Sequence, residues 1–470
     1  MRFGLLHFCG LDSFFCGRFA SEGHTVEFIS IPAFAFEQTM RESIFQYWPH
    51  CTIFDVAAWN CFTAVDHNSS ETVLLSPAER LHVLVQSERM GFMADLTIHE
   101  RLLLIEQQEQ NSVFLLDNTN VDHVAFGGIP HSVADYVLLL IAKKKGIGVS
   151  MHQDLPMIKG GHFIYDSDFS IHTRRNEDKT IKMVKDYKPK AQRQDKWADT
   201  YRFVSSQKLG SQIGIYQYLQ SEENQNGDAL SYYHKWQSNA INLGEVKDIK
   251  NSIFIFLHNE PEATVNPVLG ASLPRQIDFI RLIRRSVQDS IPIYIKEHPA
   301  MFLAAWEDKQ VNYNAYRGTN ILTDIIRLHN CELLDAETKT DELLEHQPIC
   351  ASIMGTIQSE ALIKGCPLIS SKAGPLKGAE GVLIVDNSTA YSTLDSAIFN
   401  KSRIDLESAL TSNQDYVSDM LSQKAFKGSP NAGMSMYHEF SEEELQRNNS
   451  STAKSIIYIS NLWKNAPVVS

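Results

Sequence analysis

Two stretches decide the fold: Asn251-Ser-Ile-Phe-Ile-Phe-Leu-His-Asn-Glu-Pro-Glu-Ala-Thr264 and Ile291-Pro-Ile-Tyr-Ile-Lys-Glu-His-Pro299. Each opens on a short run of β-branched and aromatic residues, which reads as a buried strand, and each then turns abruptly polar. Between them the spacing of apolar residues predicts an amphipathic helix from Gln276 to Val287. Strand, helix, strand makes a βαβ unit, and its strands run parallel. Both polar clusters therefore lie at the carboxyl ends of neighbouring strands, where open α/β sheets bind ligands.

The same rhythm continues to about residue 395. Ile349-Cys-Ala-Ser-Ile353 reads as a strand running into Met354-Gly-Thr-Ile-Gln-Ser-Glu360, and Leu368 to Ser371 and Gly381 to Val385 as two more strands. Upstream, Arg2 to Leu6, Thr25 to Ile31, Ser112 to Leu116 and Val124 to Phe126 are strand-like, while Glu79 to Glu106 is helical. Ser132 caps an apolar helix over 133–142, and Gly148 to Met151 is a strand. Gly4, Gly10 and Gly17 form no GxGxxG fingerprint, so no dinucleotide site is read there.

The expected fold class is α/β, with two Rossmann-like domains facing a cleft, a helical insertion and C-terminal helices. The expected boundaries are 1–165, 166–250 for the insertion, 251–395, and 396–470 for the helices. The tail reads as helical over 393–399, 406–421 and 442–463, with a low-complexity break at Asn448-Asn-Ser-Ser451.

Composition narrows the function. The chain has 470 residues, so more than one core is expected, and 43% are hydrophobic, as in an ordinary globular protein. A net charge of −13 opposes non-specific nucleic-acid binding. Seven scattered cysteines include no CxxC pair, which argues against a disulfide framework or a zinc site. No apolar run is long enough to span a membrane and no signal peptide is read, so a cytoplasmic location is expected. The basic and aromatic segment 174–236 leaves open contact with the inner face of the membrane; an inserted helical subdomain is the plainer alternative.

Local positive charge gathers at Arg275, Arg281, Arg284, Arg285 and Lys296, to serve an anionic ligand or merely as the solvated face of a helix. At Gly355-Thr-Ile-Gln-Ser-Glu360 a small-residue turn enters a helix and leaves backbone N–H groups for a phosphate. Ser352, Gly355, Thr356 and Ser359 permit close approach, and Glu360 suits ribose hydroxyls; an ordinary βα turn capped by Thr356 is the alternative. Lys296 and His298 offer cationic partners to a phosphate, with Pro299 holding His298 extended. Glu260 and Glu262 straddle Pro261, a stiff turn able to position a carboxylate as base or nucleophile. No Asp-x-Asp pair suited to a metal-bound diphosphate is present.

Taken together, His258 to Thr264, Lys296 to Pro299, and Gly355 to Ala361 with Gly365-Cys-Pro367 resemble the bacterial capsule and surface-polysaccharide glycosyltransferases of GT-B type. Those include the retaining Kdo transferases. The likeness covers roughly residues 250–390. It implies a catalytic role for Glu262 beside Glu260 and His298, and a place for His298 at the phosphate of a CMP-linked donor. It further implies a nucleotide site of Lys296, His298, Pro299, Ser352, Gly355, Thr356, Ser359 and Glu360. The partners it implies are a nucleotide-sugar donor and a glycan or glycolipid acceptor, with no metal and no other cofactor. Relatives commonly carry Gln where this chain has Glu260. A UDP-sugar transferase, a CDP-glycerol-type polyol-phosphate transferase and a nucleotide-sugar 2-epimerase share the plan; a non-catalytic glycan-binding or assembly protein is the alternative outside enzymes.

Overall fold

The computed structural model describes residues 1–8, 11–31, 37–55, 75–87, 93, 96–130, 132–154, 161–168, 215–220, 227–258, 275–303, 319–370, 381–385, 426–427 and 441–464. The chain forms two compact units, Met1–Lys190 with Leu421–Ser470, and Ala191–Met420.

The first unit is a seven-stranded sheet. Strands β1 (Arg2–Leu6), β2 (Thr25–Ile31), β3 (Thr52–Asp55), β4 (His123–Phe126) and β5 (Gly148–Asp154) are mutually parallel in the order β3-β2-β1-β4-β5. Strand β6 (Gly161–Tyr165) adds antiparallel to β5, and a terminal strand, Phe426–Lys427, closes the edge. Residues 124 to 126 are fully buried, as expected for a parallel strand covered on both faces. Asp12 starts the first helix, Ser13–Ser21, by accepting from the N–H groups of Phe14 (3.0 Å) and Phe15 (2.9 Å). Ser132 caps Val133–Lys144 as expected, in a reciprocal box with Asp135.

Two readings of this unit are corrected. Ser112 to Leu116 is not a strand but the last part of a 22-residue helix, Ile98–Thr119, launched by a Thr97–Glu100 capping box and ended by Asn120 in the left-handed region. A five-residue apolar run fits a strand or a buried helix equally well, and here the cap decides. Likewise Asn448 to Ser451 is no break: the helix Glu442–Lys464 runs through it. Polar residues of that helix find partners elsewhere in the unit, Asn449 on Asp12 (2.9 Å) and Ser455 on the ring of buried His162 (3.2 Å). Ala453, Ile456 and Ile457 close the core of Phe3, Phe8, Phe15, Phe19 and Trp48. Each isoleucine so buried contributes ~1.5–3 kcal/mol.

The second unit repeats the plan with β7 (Ala240–Ile241), β8 (Ile253–Phe256), β9 (Ile293–Lys296), β10 (Cys331–Leu334), β11 (Ile349–Ser352), β12 (Leu368–Ser370) and β13 (Val382–Ile384). All are parallel, in the order β13-β12-β11-β8-β9-β10-β7. Residues 215–220 and 227–250 of the expected insertion lie in this unit: β7 pairs with β10 and Trp236, fully buried, donates to the Leu334 carbonyl at 2.8 Å. The predicted helix is present as Gln276–Ser286. The readings of helices over 393–399 and 406–421 lie outside the described residues.

Growth of the sheet switches sides between β1 and β4 in the first unit and, from β8 onward, between β8 and β11 in the second. At such a switch point the loops leaving the two central strands diverge and open a crevice. The fold is thus two Rossmann-like domains, each with its own crevice.

Candidate functional site

In the second unit the crevice is built by the chain leaving β8 and the chain leaving β11. His258 follows β8 by two residues and is buried. Gln276 clamps its backbone with its side-chain amide, accepting from the His258 N–H at 2.6 Å and donating to the His258 carbonyl at 3.0 Å. Its ring then reaches the neighbouring turn: the Met354 N–H donates to Nε2 at 3.0 Å. That bond requires a lone pair on Nε2, so the proton of the neutral ring sits on Nδ1. Ser352 donates to the Met354 carbonyl at 2.8 Å and braces the turn from within.

Gly355 follows with φ of +104°, a conformation that side-chain-bearing residues rarely adopt, and a Cβ there would lie 2.7 Å from Cε1 of His258. Backbone strain and close approach both demand glycine, and its exposed backbone opens into the helix Thr356–Ile363. Gln358 staples that helix to the sheet, donating to the Ser352 carbonyl (3.0 Å) and to Ser370 Oγ (2.9 Å). The result is a rigid helix N-terminus beside an open glycine, an arrangement that suits an anion.

One strand over, β9 carries the second cluster at the same edge, with Lys296 in register with Phe256 of β8. Lys296 is only 3% exposed. Burial pushes its ammonium down to about 8, against the opposing pull of Glu297, Asp335 and Glu337. Glu297, 1% exposed, accepts from Tyr232 Oη at 2.5 Å and from the His298 N–H at 2.7 Å, which anchors the strand end. His298 and Pro299 are half-buried and begin the next turn of helix, their carbonyls accepting from Met301 and Phe302. Glu360 is half-buried on helix 356–363.

Of the residues singled out by sequence, Ser352, Gly355 and the backbone of Thr356 meet at the end of β11, and Lys296, His298 and Pro299 at the end of β9. Strand β8 lies between them. Ser359 follows on helix 356–363. Glu260 and Glu262 lie outside the described residues. The sequence left the arginines of this helix open between an anionic ligand and a solvated face. Helix 276–286 runs back across the sheet, so Arg284 emerges at the opposite edge, buried and spent on the carbonyls of Val287 (3.2 Å) and Ile291 (2.8 Å). Arg281 pairs with Asp324 at 2.6 Å. Sequence reasoning did not assign His258 and Gln276, although His258 stood in the quoted cluster. Its position just beyond a strand was the available signal; the partner that defines its job is 96 residues away.

No family model matches the chain, and no curated protein matches it. Among solved structures it is similar to a UDP-GlcNAc 2-epimerase from Neisseria meningitidis bound to UDP-GlcNAc, at 13% identity over 99% of this chain and 100% of that one, with a TM-score of 0.24. It is similar to Thermosulfurimonas dismutans KpsC, a beta Kdo 2,7 transferase, at 10% identity over 93% and 99%, with a TM-score of 0.32. Acinetobacter baumannii MurG matches at 11% identity over 89% and 98%, with a TM-score of 0.23. Likeness at these scores carries no functional weight, and the architecture rests on the two sheet orders above.

Proposed function

We propose that the chain is a glycosyltransferase whose second unit holds a nucleotide-sugar donor and whose first unit holds the acceptor. One observation carries the proposal: at the β8/β11 switch point an exposed glycine at φ +104° leads into a helix N-terminus, with His258 bonded beneath it. A phosphate fits such a site through backbone N–H groups and the helix dipole. Lys296 and His298, one strand away, add positive charge as the leaving group becomes anionic. In this reading the donor is a CMP-activated 2-keto acidic sugar such as Kdo, the acceptor is a bacterial surface glycan or glycolipid, and no metal takes part. Glu262 is the catalytic carboxylate, a role that rests on the motif resemblance, as does the choice of CMP.

A calorimetric titration with CMP, UMP, CDP and UDP tests the reading. CMP binding that is lost in Gly355→Ala and weakened at least tenfold in His298→Ala is the expected result. Tighter binding of UDP redirects the donor to a UDP-sugar, and tighter binding of CDP to a polyol-phosphate donor. If none of the four nucleotides binds, the chain is not a nucleotide-dependent transferase.

A further inference from the structure

Lys296 ends β9 as a buried cation, 3% exposed. Among the described residues its ammonium makes no hydrogen bond and no ion pair. Three carboxylates act on it nonetheless: Glu297, the next residue, and Asp335 and Glu337 in the chain leaving β10, the strand beside β9. A buried ammonium among carboxylates ordinarily closes an ion pair, since little else in a dry interior satisfies either charge. Here each carboxylate is already taken.

Glu297 accepts from Tyr232 Oη on one oxygen (2.5 Å) and from the His298 N–H on the other (2.7 Å). Asp335 accepts on Oδ1 from the side-chain amide of Gln237 (2.7 Å) and from the Glu337 N–H (3.0 Å). Glu337 accepts from the N–H groups of Ile215 (3.1 Å) and Tyr216 (2.9 Å), and from Tyr233 Oη (3.3 Å). Burial first, and then the charge of Glu337, pushes the Tyr233 phenol up, so it stays a donor. Most of these donors come from the helices Ile215–Leu219 and Gly227–Gln237. The second of them is fixed to the chain leaving β10, with Gln237 Oε1 accepting from the Ala336 N–H at 3.0 Å and Trp236 bonded to Leu334.

We infer that the helices Ile215–Leu219 and Gly227–Gln237 hold three carboxylates off Lys296, so that its ammonium stays charged and gives its N–H donors to the phosphate of the donor nucleotide. The inference rests on the glycosyltransferase reading and deepens it, giving this segment a part in the donor site. An ammonium closed in an ion pair must break that pair to bind a phosphate. One attracted by carboxylates that other donors already satisfy keeps its three N–H groups for the ligand. Lys296 is then the group that meets the phosphate, and Glu297 and Tyr232 are positioning residues. Glu297 has a second duty, because its bond to the His298 N–H fixes the turn that carries His298.

Burial pushes the Lys296 ammonium down to about 8, while Glu297, then Asp335 and Glu337, pull it up. From β8 the residue in register is the uncharged Phe256, with His258 beyond it bonded to Met354. On helix 227–237 the buried titratable groups are Tyr232 and Tyr233, both spent as donors, while His234 and Lys235 are exposed. The helix Ala300–Leu303 carries no titratable side chain. Removing the Glu297 charge therefore lowers the pH at which the ammonium loses its proton.

Calorimetric titration of the full chain with CMP from pH 7 to 9 tests this, UMP, CDP or UDP taking its place where that nucleotide binds wild type instead. Wild-type affinity should fall as pH rises through about 8, and Lys296→Met should bind more weakly and show no such fall. Glu297→Gln should begin its fall at least about half a pH unit lower. Tyr232→Phe keeps the charge but frees the carboxylate to close on the ammonium. It should weaken binding about three- to tenfold at pH 7 without lowering the pH of the fall. Affinity lost equally at every pH in Glu297→Gln, with the fall unmoved, is the mark of a merely structural role and overturns the inference. So does a wild-type affinity that stays flat to pH 9, or Tyr232→Phe binding within twofold of wild type; in each case the transferase reading stands. Where Glu297→Gln does not fold or binds no nucleotide, Tyr232→Phe decides. A wild-type chain that binds none of the four nucleotides overturns that reading itself, and the inference with it.

Discussion

The two Rossmann-like units place a histidine just past one central strand of the sheet and a glycine just past the other, yet use the imidazole in opposite senses. In the second unit the ring is an acceptor: His258 Nε2 takes the Met354 N–H, and the buried side chain props a glycine turn from beneath. In the first unit the ring is a donor: His7 gives Nε2–H to a sealed carboxylate and shows its other face to solvent. Protonating His258 removes the lone pair that holds Met354, whereas protonating His7 strengthens its bond to Asp135. One histidine holds a glycine turn through its ring nitrogen, and the other is paired with a buried carboxylate. The partner, not the residue type, sets the chemistry.

Breaking the comparison at its chemistry should have the largest effect. Glu262→Gln is expected to abolish transfer while CMP affinity, read by calorimetry, stays near wild type; retained turnover would refute its assignment. Next come the two glycines. Gly127→Ala sets a methyl against the His7 backbone, which cannot yield, and should cost on the order of 3–5 kcal/mol by denaturant unfolding. Gly355→Ala meets the edge of a ring and carries the φ penalty, on the order of 1–3 kcal/mol, and should abolish CMP binding as well. Equal losses at the two sites would mean that the turns are not built differently.

Smaller effects sharpen the contrast between the histidines. His258→Ala leaves the Met354 N–H without its partner and should cost about 1–3 kcal/mol, with a weakened CMP site. His7→Asn keeps the left-handed backbone but takes the imidazole away from the sealed Asp135 carboxylate, and should cost about 1–3 kcal/mol. The pH dependence has the sign of a raised histidine pKa: stabilisation by the His7–Asp135 pair is full below the ordinary histidine pKa and is lost as pH rises through the raised value in the folded chain. The wild-type minus Asp135→Asn stability difference should shrink over that window.

Lys296 gives the subtlest signal. Its pKa of about 8 lies below that of an exposed lysine, so the unfolded chain holds more protons above pH 8. The wild-type minus Lys296→Met stability difference should therefore rise between about pH 8 and 10. A flat difference over that range would show that Lys296 is not desolvated.

Much of this was legible from pattern alone. Apolar runs too short for helices marked β8, β9 and β11, and the polar turns after them marked the ligand edge, because βαβ connectivity forces parallel strands. Gly355 was recognisable as the entry to a helix. Other parts were not. Ser112 to Leu116 has the composition of a strand, and only the capping box at Thr97 and Glu100, far upstream, makes it helix. The arginines of 281–285 were left open between an anionic ligand and a solvated face, and only the packing showed Arg284 buried on the carbonyls of Val287 and Ile291. Asp135 gave no sign of its pairing with His7, lying 128 residues away with no shared motif.

By itself the sequence determined the period of each segment, the turns that end the strands and the residues at those turns, since these depend on neighbours within a few positions. Only the tertiary structure decided which turns meet. The order of strands in each sheet chose β1 against β4 and β8 against β11, and so set one histidine under a glycine turn and the other against a buried carboxylate. Hydrogen bonds reach about 3 Å, and no spacing along the chain encodes that distance until the sheet is assembled.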